Sequence, residues 1–281
     1  MALLDEILAD LAAEGDDLDR LVAGLGPDQW RLATPAPGWT IAHQIGHLAS
    51  ADRLAALAAT DAAAFLEVRA GLTQDFDASV DAGAAEFAAD PPDRLLARWR
   101  DGRSGLRAAL AAVPPGERVP WIVAPIAPAT LASTRLMELF AHGQDVRDAL
   151  AAGRPGTGRI AHVARLGVRT RDFAFAAHGE SPPAEEFRIE LSAPDGEVWA
   201  WGPEDAAQSV TGPALDFCLL VTQRRHRDDL RLAARGPEAD HWLSIAQVFA
   251  GPPGPGRAPL HAVGGTGPAG GQDRPPTGEK D

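Results

Sequence analysis

Apolar residues recur at three- and four-residue spacing through residues 1–25, at Leu3, Leu4, Ile7, Leu8, Leu11, Leu18, Leu21, Val22 and Leu25, with aspartate and glutamate between them. That period predicts an amphipathic helix, stopped by Gly26-Pro27. A loop rich in proline and glycine (33–38) leads to a second helix over about 40–60, with Thr40 as its N-cap. Weaker helical patterns over 61–90 suggest short pieces covering one end of a bundle. Pro91-Pro92-Asp93 opens a third helix, about 92–113, and a proline-rich loop carrying Trp121 follows it. A fourth helix, about 127–152, ends at Gly153. The pattern is that of a four-helix bundle with one longer connection, followed by a further helix over about 158–177.

The period then changes. Phe187, Ile189 and Leu191 alternate with Arg188, Glu190 and Ser192, the signature of a strand. Asp195-Gly196 marks a hairpin, with Val198 to Trp201 as the returning strand. Residues 208–211 and 230–235 are further strand candidates. Helices are expected over 213–223, with Pro213 in the first turn, and over 237–250. The fold class is therefore α plus small α+β: a bundle over 1–178, a small α+β domain over 179–252, and a tail over 253–281 whose glycine and proline content and lack of apolar period predict disorder.

Composition narrows the function. The 281 residues carry a net charge of −13, a field that repels phosphate backbones and argues against a general nucleic-acid partner. The single cysteine, Cys218, can build neither an internal disulfide nor a cysteine-rich zinc site. No secretion signal and no apolar run long enough for a membrane span is visible, so a cytoplasmic protein, monomer or homodimer, acting on a small molecule is expected.

Two predicted helices carry metal-type donors four residues apart: His43 and His47 on one, Glu138 and His142 on the other. Residues at i and i+4 share a helix face, and two such faces could offer His47, Glu138 and His142 to one divalent ion. Two nitrogens, one carboxylate and an open position form a catalytic pattern more than a structural one. The plain alternative is a pair of ordinary polar helix positions with no ion. Against it, Glu138 sits among Leu136, Met137, Leu139 and Phe140, and a buried charge needs a partner. Arg135 and Asp145 lie three residues outside this pair; each is either a group that orients a ligand or a surface residue. Asp52 and Arg53 fit ordinary ion pairs. His162, with Arg165 and Arg169, either reaches the site mouth or forms a surface stripe, and His178, His241 and His261 carry no special pattern. Cys218, beside Phe217, Leu219 and Leu220, fits a buried small hydrophobe, and Trp199, Trp201 and Trp242 fit core positions.

The run Trp39-Thr40-x-x-His43-x-x-x-His47-Leu48, followed by Arg135-x-x-Glu138-x-x-x-His142, resembles the DinB-like metal-binding bundle and, more closely, the mycothiol-dependent maleylpyruvate isomerase subfamily. The phrases around Val210 to Cys218 and Trp242 to Gly251 look like an actinobacterial branch known only as metal-binding. The resemblance covers about residues 1–256. It implies that His47, Glu138 and His142 hold a divalent ion, Zn²⁺ first among the choices, with His43 in reserve. It also implies that the ion holds a small thiol such as mycothiol as thiolate, for transfer or isomerisation. The isomerases hold thiol and substrate with basic and aromatic groups of the C-terminal domain. Arg224, Arg225 and His226, in the densest basic run of this acidic chain, are the candidates here; a charged helix end complementing the helix dipole is the other reading. Two further functions stay open: a non-catalytic metal- or small-molecule-binding protein, and a metal-dependent hydrolase.

Overall fold

The computed structural model describes residues 2–72, 75–254 and 256–260. The expected bundle is present. Its members are α1 (Ala2–Val22), α3 (Ile41–Thr60), α6 (Pro92–Ala112) and α7 (Pro128–Ala149). They pack in the ring α1–α6–α3–α7, with the one-turn helix α2 (Pro27–Trp30) between the first two in sequence. Helix α7 is the central member: Leu131, Leu136, Leu139, Phe140 and Val146 are buried on several of its faces at once, as expected for a helix covered on most sides. Ile41, Ile45, Leu48 and Ala49 of α3 face the same core.

Residues 61–90 differ from the sequence expectation. They form α4 (Ala62–Leu72) and α5 (Phe76–Ala88), and α5 lies alongside α3 instead of capping an end. Gly46 permits this approach, because a Cβ there would stand 2.5 Å from the Ala84 carbonyl oxygen. The helix expected over 158–177 is two, α8 (Ile160–Arg169) and α9 (Arg171–Ala177), divided at Thr170. Its hydroxyl donates to the carbonyls of Leu166 (3.0 Å) and Gly167 (3.1 Å).

The C-terminal part holds β1 (Arg188–Ser192), β2 (Val198–Trp201), β3 (Ser209–Pro213) and β4 (Ala233–Arg235) in the order β2-β1-β3-β4. The β1–β2 hairpin is antiparallel with Ile189 opposite Trp201, β1 and β3 run parallel, and β3 and β4 are antiparallel. Ile189, Leu191 and Val210 bury one face of this sheet. Helices α10 (Ala214–Val221) and α11 (Pro237–Ile245) complete it, with Trp242 edge-on to Phe187 and Phe217. Helix α10 packs on α8, so one apolar core runs through both parts of the chain.

Helix α11 stops at Ile245, short of the expected 250. Gln247 Nε2 donates to the carbonyls of Phe249 and Gly251, both at 3.0 Å, and shapes the following segment. Residues 256–260, read from sequence as part of a disordered tail, lie against the folded chain: Arg257 pairs with Asp145 at 2.5 Å and bonds the Pro35 carbonyl. Residues 255 and 261–281 of that tail, His261 included, lie outside the described residues. Among the described residues no helix is long and apolar enough to cross a membrane.

Candidate metal centre

Helices α3 and α7 meet where His47 and Glu138 face each other. His47 Nε2 lies 3.3 Å from Glu138 Oε2, and His142 Nε2 lies 3.1 Å from the same oxygen. The two imidazole centroids are 4.4 Å apart. All three side chains are largely buried, with exposures of 14, 22 and 12 % for His47, Glu138 and His142. The i,i+4 spacing places Glu138 and His142 on one face of α7, and the α3–α7 packing supplies the third donor.

His43 does not join them. Its Nδ1 lies 2.8 Å from the Thr40 hydroxyl and accepts weakly from the Thr40 N–H at 3.4 Å. It is therefore engaged in the first turn of α3, with Thr40 at the N-cap.

The hydrogen-bond network fixes the protonation of His142. Thr34 Oγ1 donates to the Trp39 carbonyl (2.9 Å), so it accepts from Gln44 Nε2 (2.9 Å). That orients Gln44 Oε1 toward His142 Nδ1 at 2.6 Å. An amide oxygen only accepts, so Nδ1 carries the proton and Nε2 turns a bare lone pair toward Glu138. Burial, followed by the neighbouring His47, pushes the His142 pKa down to about 3, which keeps the ring neutral. Burial alone would raise the Glu138 carboxyl. The contact with His47 and the charge of nearby Arg135 work against burial and favour the ionised carboxylate. A lone pair thus faces an ionised carboxylate at 3.1 Å, an arrangement that calls for a cation between them. The spacing suits one: tetrahedral bonds of ~2.0–2.1 Å hold neighbouring donors roughly 3.3 Å apart. The three donor atoms all lie within 4.8 Å of one another.

Gln44 is the residue the sequence did not announce. It orients a candidate ligand through the atom turned away from the ion, the role expected of a second layer of contacts. Trp39 is the other. Its ring stands 5.4 Å from His47 and 5.9 Å from His142, and its Nε1 donates to Asp81 at 2.9 Å.

The two residues expected to orient ligands are placed otherwise. Arg135 Nε donates to Asp52 at 3.0 Å, a buried pair linking α7 to α3; Asp52 is thus no ordinary surface partner, whereas Arg53 pairs with exposed Glu86. Arg135 acts on Glu138 through its charge. Asp145 is fully buried and pairs with Arg257 and Arg224 instead of a histidine.

The basic run divides as well. Arg224 lines the chamber that opens on His47, Glu138 and His142, with its Nε bonded to the Ala141 carbonyl at 3.1 Å. Arg225 turns away and forms a two-bond pair with Asp148 (2.7 and 2.6 Å). His226 faces the turn at Arg227–Asp229 and bonds the Asp228 N–H at 3.1 Å. His162 pairs with Asp10 of α1 at 2.9 Å, away from the site. Cys218 is fully buried, and burial pushes its thiol pKa up. Trp242 is core, and Trp199 and Trp201 pack against it.

Residues 11–147, which include all three donors, match the model of the mycothiol maleylpyruvate isomerase N-terminal domain. An uncharacterised protein of Mycobacterium tuberculosis, found in strains CDC 1551 and H37Rv, is 54 % identical over 250 residues, covering 89 % of this chain and 97 % of the relative. The chain belongs to the family of that mycobacterial protein, and its residues 11–147 carry the mycothiol maleylpyruvate isomerase N-terminal domain. Residues 183–235 also match a model described as wyosine base formation. Two solved structures share the fold of this family member. The mycothiol-dependent maleylpyruvate isomerase aligns with TM-score 0.55 at 16 % identity, and a His-to-Ala mutant of that enzyme with 0.56 at 14 %. In both cases 84 % of this chain and 95 % of the other is covered.

Proposed function

We propose that this family member is a divalent-metal enzyme, with zinc as its ion, that adds or transfers a small thiol of the mycothiol type to an electrophile. The observation that carries this reading is the Nε2 of His142 set 3.1 Å from the Glu138 carboxylate, with His47 3.3 Å from the same oxygen. Bound zinc would supply a thiolate nucleophile at neutral pH, since coordination deprotonates a thiol outright. Three protein donors leave a position for that sulfur.

The chain's own residues provide the rest. Gln44 fixes the His142 tautomer through Nδ1. The Trp39 indole covers both imidazoles from one side and limits water there. Arg224 places a cation at the chamber, where its field favours an anionic sulfur. Cys218, buried and with its thiol pKa raised, is unsuited to serve as an internal nucleophile, so the sulfur is brought in as cosubstrate.

Metal analysis of the purified protein tests the site. One zinc per chain is expected in wild type and in His43→Ala, and a loss of most of it in His47→Ala and His142→Ala. Full zinc content in both of the latter would refute the assignment. Thiol consumption against a panel of electrophiles then tests turnover. Zinc-dependent loss of thiol supports the reading; hydrolysis without thiol, or tight zinc binding with no turnover, would replace it.

A further inference from the structure

Two of the three donors, His47 and Glu138, stand in a wall between two spaces, and His142 faces only the outer one. His47, Phe76, Val80, Met137, Glu138 and Phe249 border both. The outer space, about 580 Å³, carries Trp39, Asp77, Asp81 and Arg224. The inner one, about 310 Å³, is of a different kind. Leu54, Trp121, Ile122, Ile126, Leu166 and Phe173 form much of its wall.

Three of the five hydroxyls on this inner wall are turned back onto their own helices, those of Ser50 and Thr130 being the exceptions. Ser79 Oγ donates to Asp75 O (2.7 Å), Thr134 Oγ1 to Leu131 O (2.8 Å) and Thr170 Oγ1 to Leu166 O (3.0 Å). Apart from the candidate metal ligands, Arg135 is the charged side chain on the wall. Its charge is matched by buried Asp52, and its unpartnered Nη2 is sealed from solvent. A carboxylate entering the inner space would lose its water and, besides the ion itself, would meet only a guanidinium already matched by Asp52, a costly transfer. An uncharged apolar molecule would meet a mostly apolar surface. The volume lies at the small end of ligand pockets.

Resting on the metal–thiol reading above, we propose that the inner cavity admits small, uncharged, apolar electrophiles and excludes dianions, while the polar thiol enters from the outer space. A diester of an unsaturated diacid illustrates the step. The thiolate sulfur forms a bond to one alkene carbon, and the π pair shifts toward the far carbonyl. The neighbouring carbon then takes up a proton equivalent to the one the thiol released. The product is a thioether; nothing is oxidised and no group leaves.

The test uses diethyl maleate and maleate with zinc-loaded full-length protein and a small thiol, each rate divided by the uncatalysed rate for the same pair. The diester is expected to be accelerated at least tenfold more than the dianion. Equal or greater acceleration of maleate overturns the cavity assignment and leaves the thiol reading standing. Binding is measured separately with the uncharged fluorophore N-phenyl-1-naphthylamine. Ile122→Asp should weaken it at least tenfold with zinc content unchanged, and Ile122→Leu should restore it. Phe173→Ser, at a partly exposed position, serves as a second variant should Ile122→Asp fold poorly. Fluorophore binding that neither variant changes overturns the assignment. Binding that the variants abolish, in a protein that consumes no thiol, supports the cavity's chemistry and removes the catalytic reading instead.

Discussion

Replacing Gln44 by leucine tests the centre without touching a donor. Gln44 is fully buried and makes two side-chain bonds: it accepts from His142 Nδ1 at 2.6 Å and donates to Thr34 Oγ1 at 2.9 Å. Leucine has similar bulk and makes neither. The His142 Nδ1–H is then a buried donor without an acceptor, a penalty of about 1–3 kcal/mol. The ring can escape it by moving the proton to Nε2, but Nε2 is the atom that faces Glu138. The cost is therefore transferred to ion binding, where loss of an orienting contact weakens affinity ~10–100-fold, or about 1.4–2.8 kcal/mol. Competition against a chromophoric chelator measures it. Gln44→Glu, which restores an acceptor, should recover much of the affinity. Thr34→Ala, one bond further out, should cost less than Gln44→Leu. Zinc affinity within about twofold of wild type in a well-folded Gln44→Leu protein would refute the tautomer argument, because the amide would then have no bearing on the ligand atom.

Acid should destabilise the metal-free protein from about pH 6.5 downward. His142 titrates near 3 when folded because burial and then His47 disfavour its charge, so between those values the unfolded chain binds a proton that the native site refuses, and stability falls by up to about 1.4 kcal/mol per pH unit. Urea midpoints at pH 7.5 and 5.5 should differ less in His142→Gln than in wild type. Gly46→Ala should lower the melting temperature: its Cβ would press on the Ala84 carbonyl at 2.5 Å, and overpacking of about 1–3 kcal/mol exceeds the ~1 kcal/mol gained in helix propensity. Arg257→Ala should also destabilise, by roughly 1–3 kcal/mol, since it removes one of two guanidinium partners from buried Asp145; thermal melts of this variant and of the double variant with Asp145→Asn should show part of the loss recovered in the latter.

The four bundle helices were legible because each carries its own period and its own stops, which are local properties of the chain. Helix α5 was not placed correctly, because its position depends on Gly46, and a glycine in a helix reads as a weakness until its neighbour is known. The break at Thr170 was hidden for a related reason. Apolar spacing continues across it, while the hydroxyl bonds that close α8 leave no trace in a hydropathy pattern. The sequence predicts helix as far as residue 250. Gln247 instead holds the backbone of Phe249 and Gly251, and the turn brings Phe249 and Ala250 to both cavities beside the donors. That segment is part of the site, and its role could not be seen without the tertiary contacts.

At the centre itself, the donors were readable to the extent that helix geometry alone determines them. Glu138 and His142 share a face of one helix by arithmetic. Choosing between His43 and His47 needed the direction of α7, and the Thr40–His43 contact gives the reason one ring is withheld. Gln44 carries a signal in the sequence, since it stands three residues before His47, a spacing that shares its face, but a neutral amide does not stand out beside charged donors. The basic run failed for the opposite reason. Three adjacent cationic candidates look like one patch in sequence, yet the backbone at Gln223 enters the left-handed region, with φ at 55°, just before they begin. Arg224, Arg225 and His226 then leave toward an α7 carbonyl, Asp148 and their own turn. Charge density along a chain measures charge density in space only where the backbone runs straight, and here, of the three, only Arg224 lines the donors' chamber. A substitution at Arg225 should therefore act through the Asp148 pair, on stability, and one at Arg224 on whatever occupies the chamber.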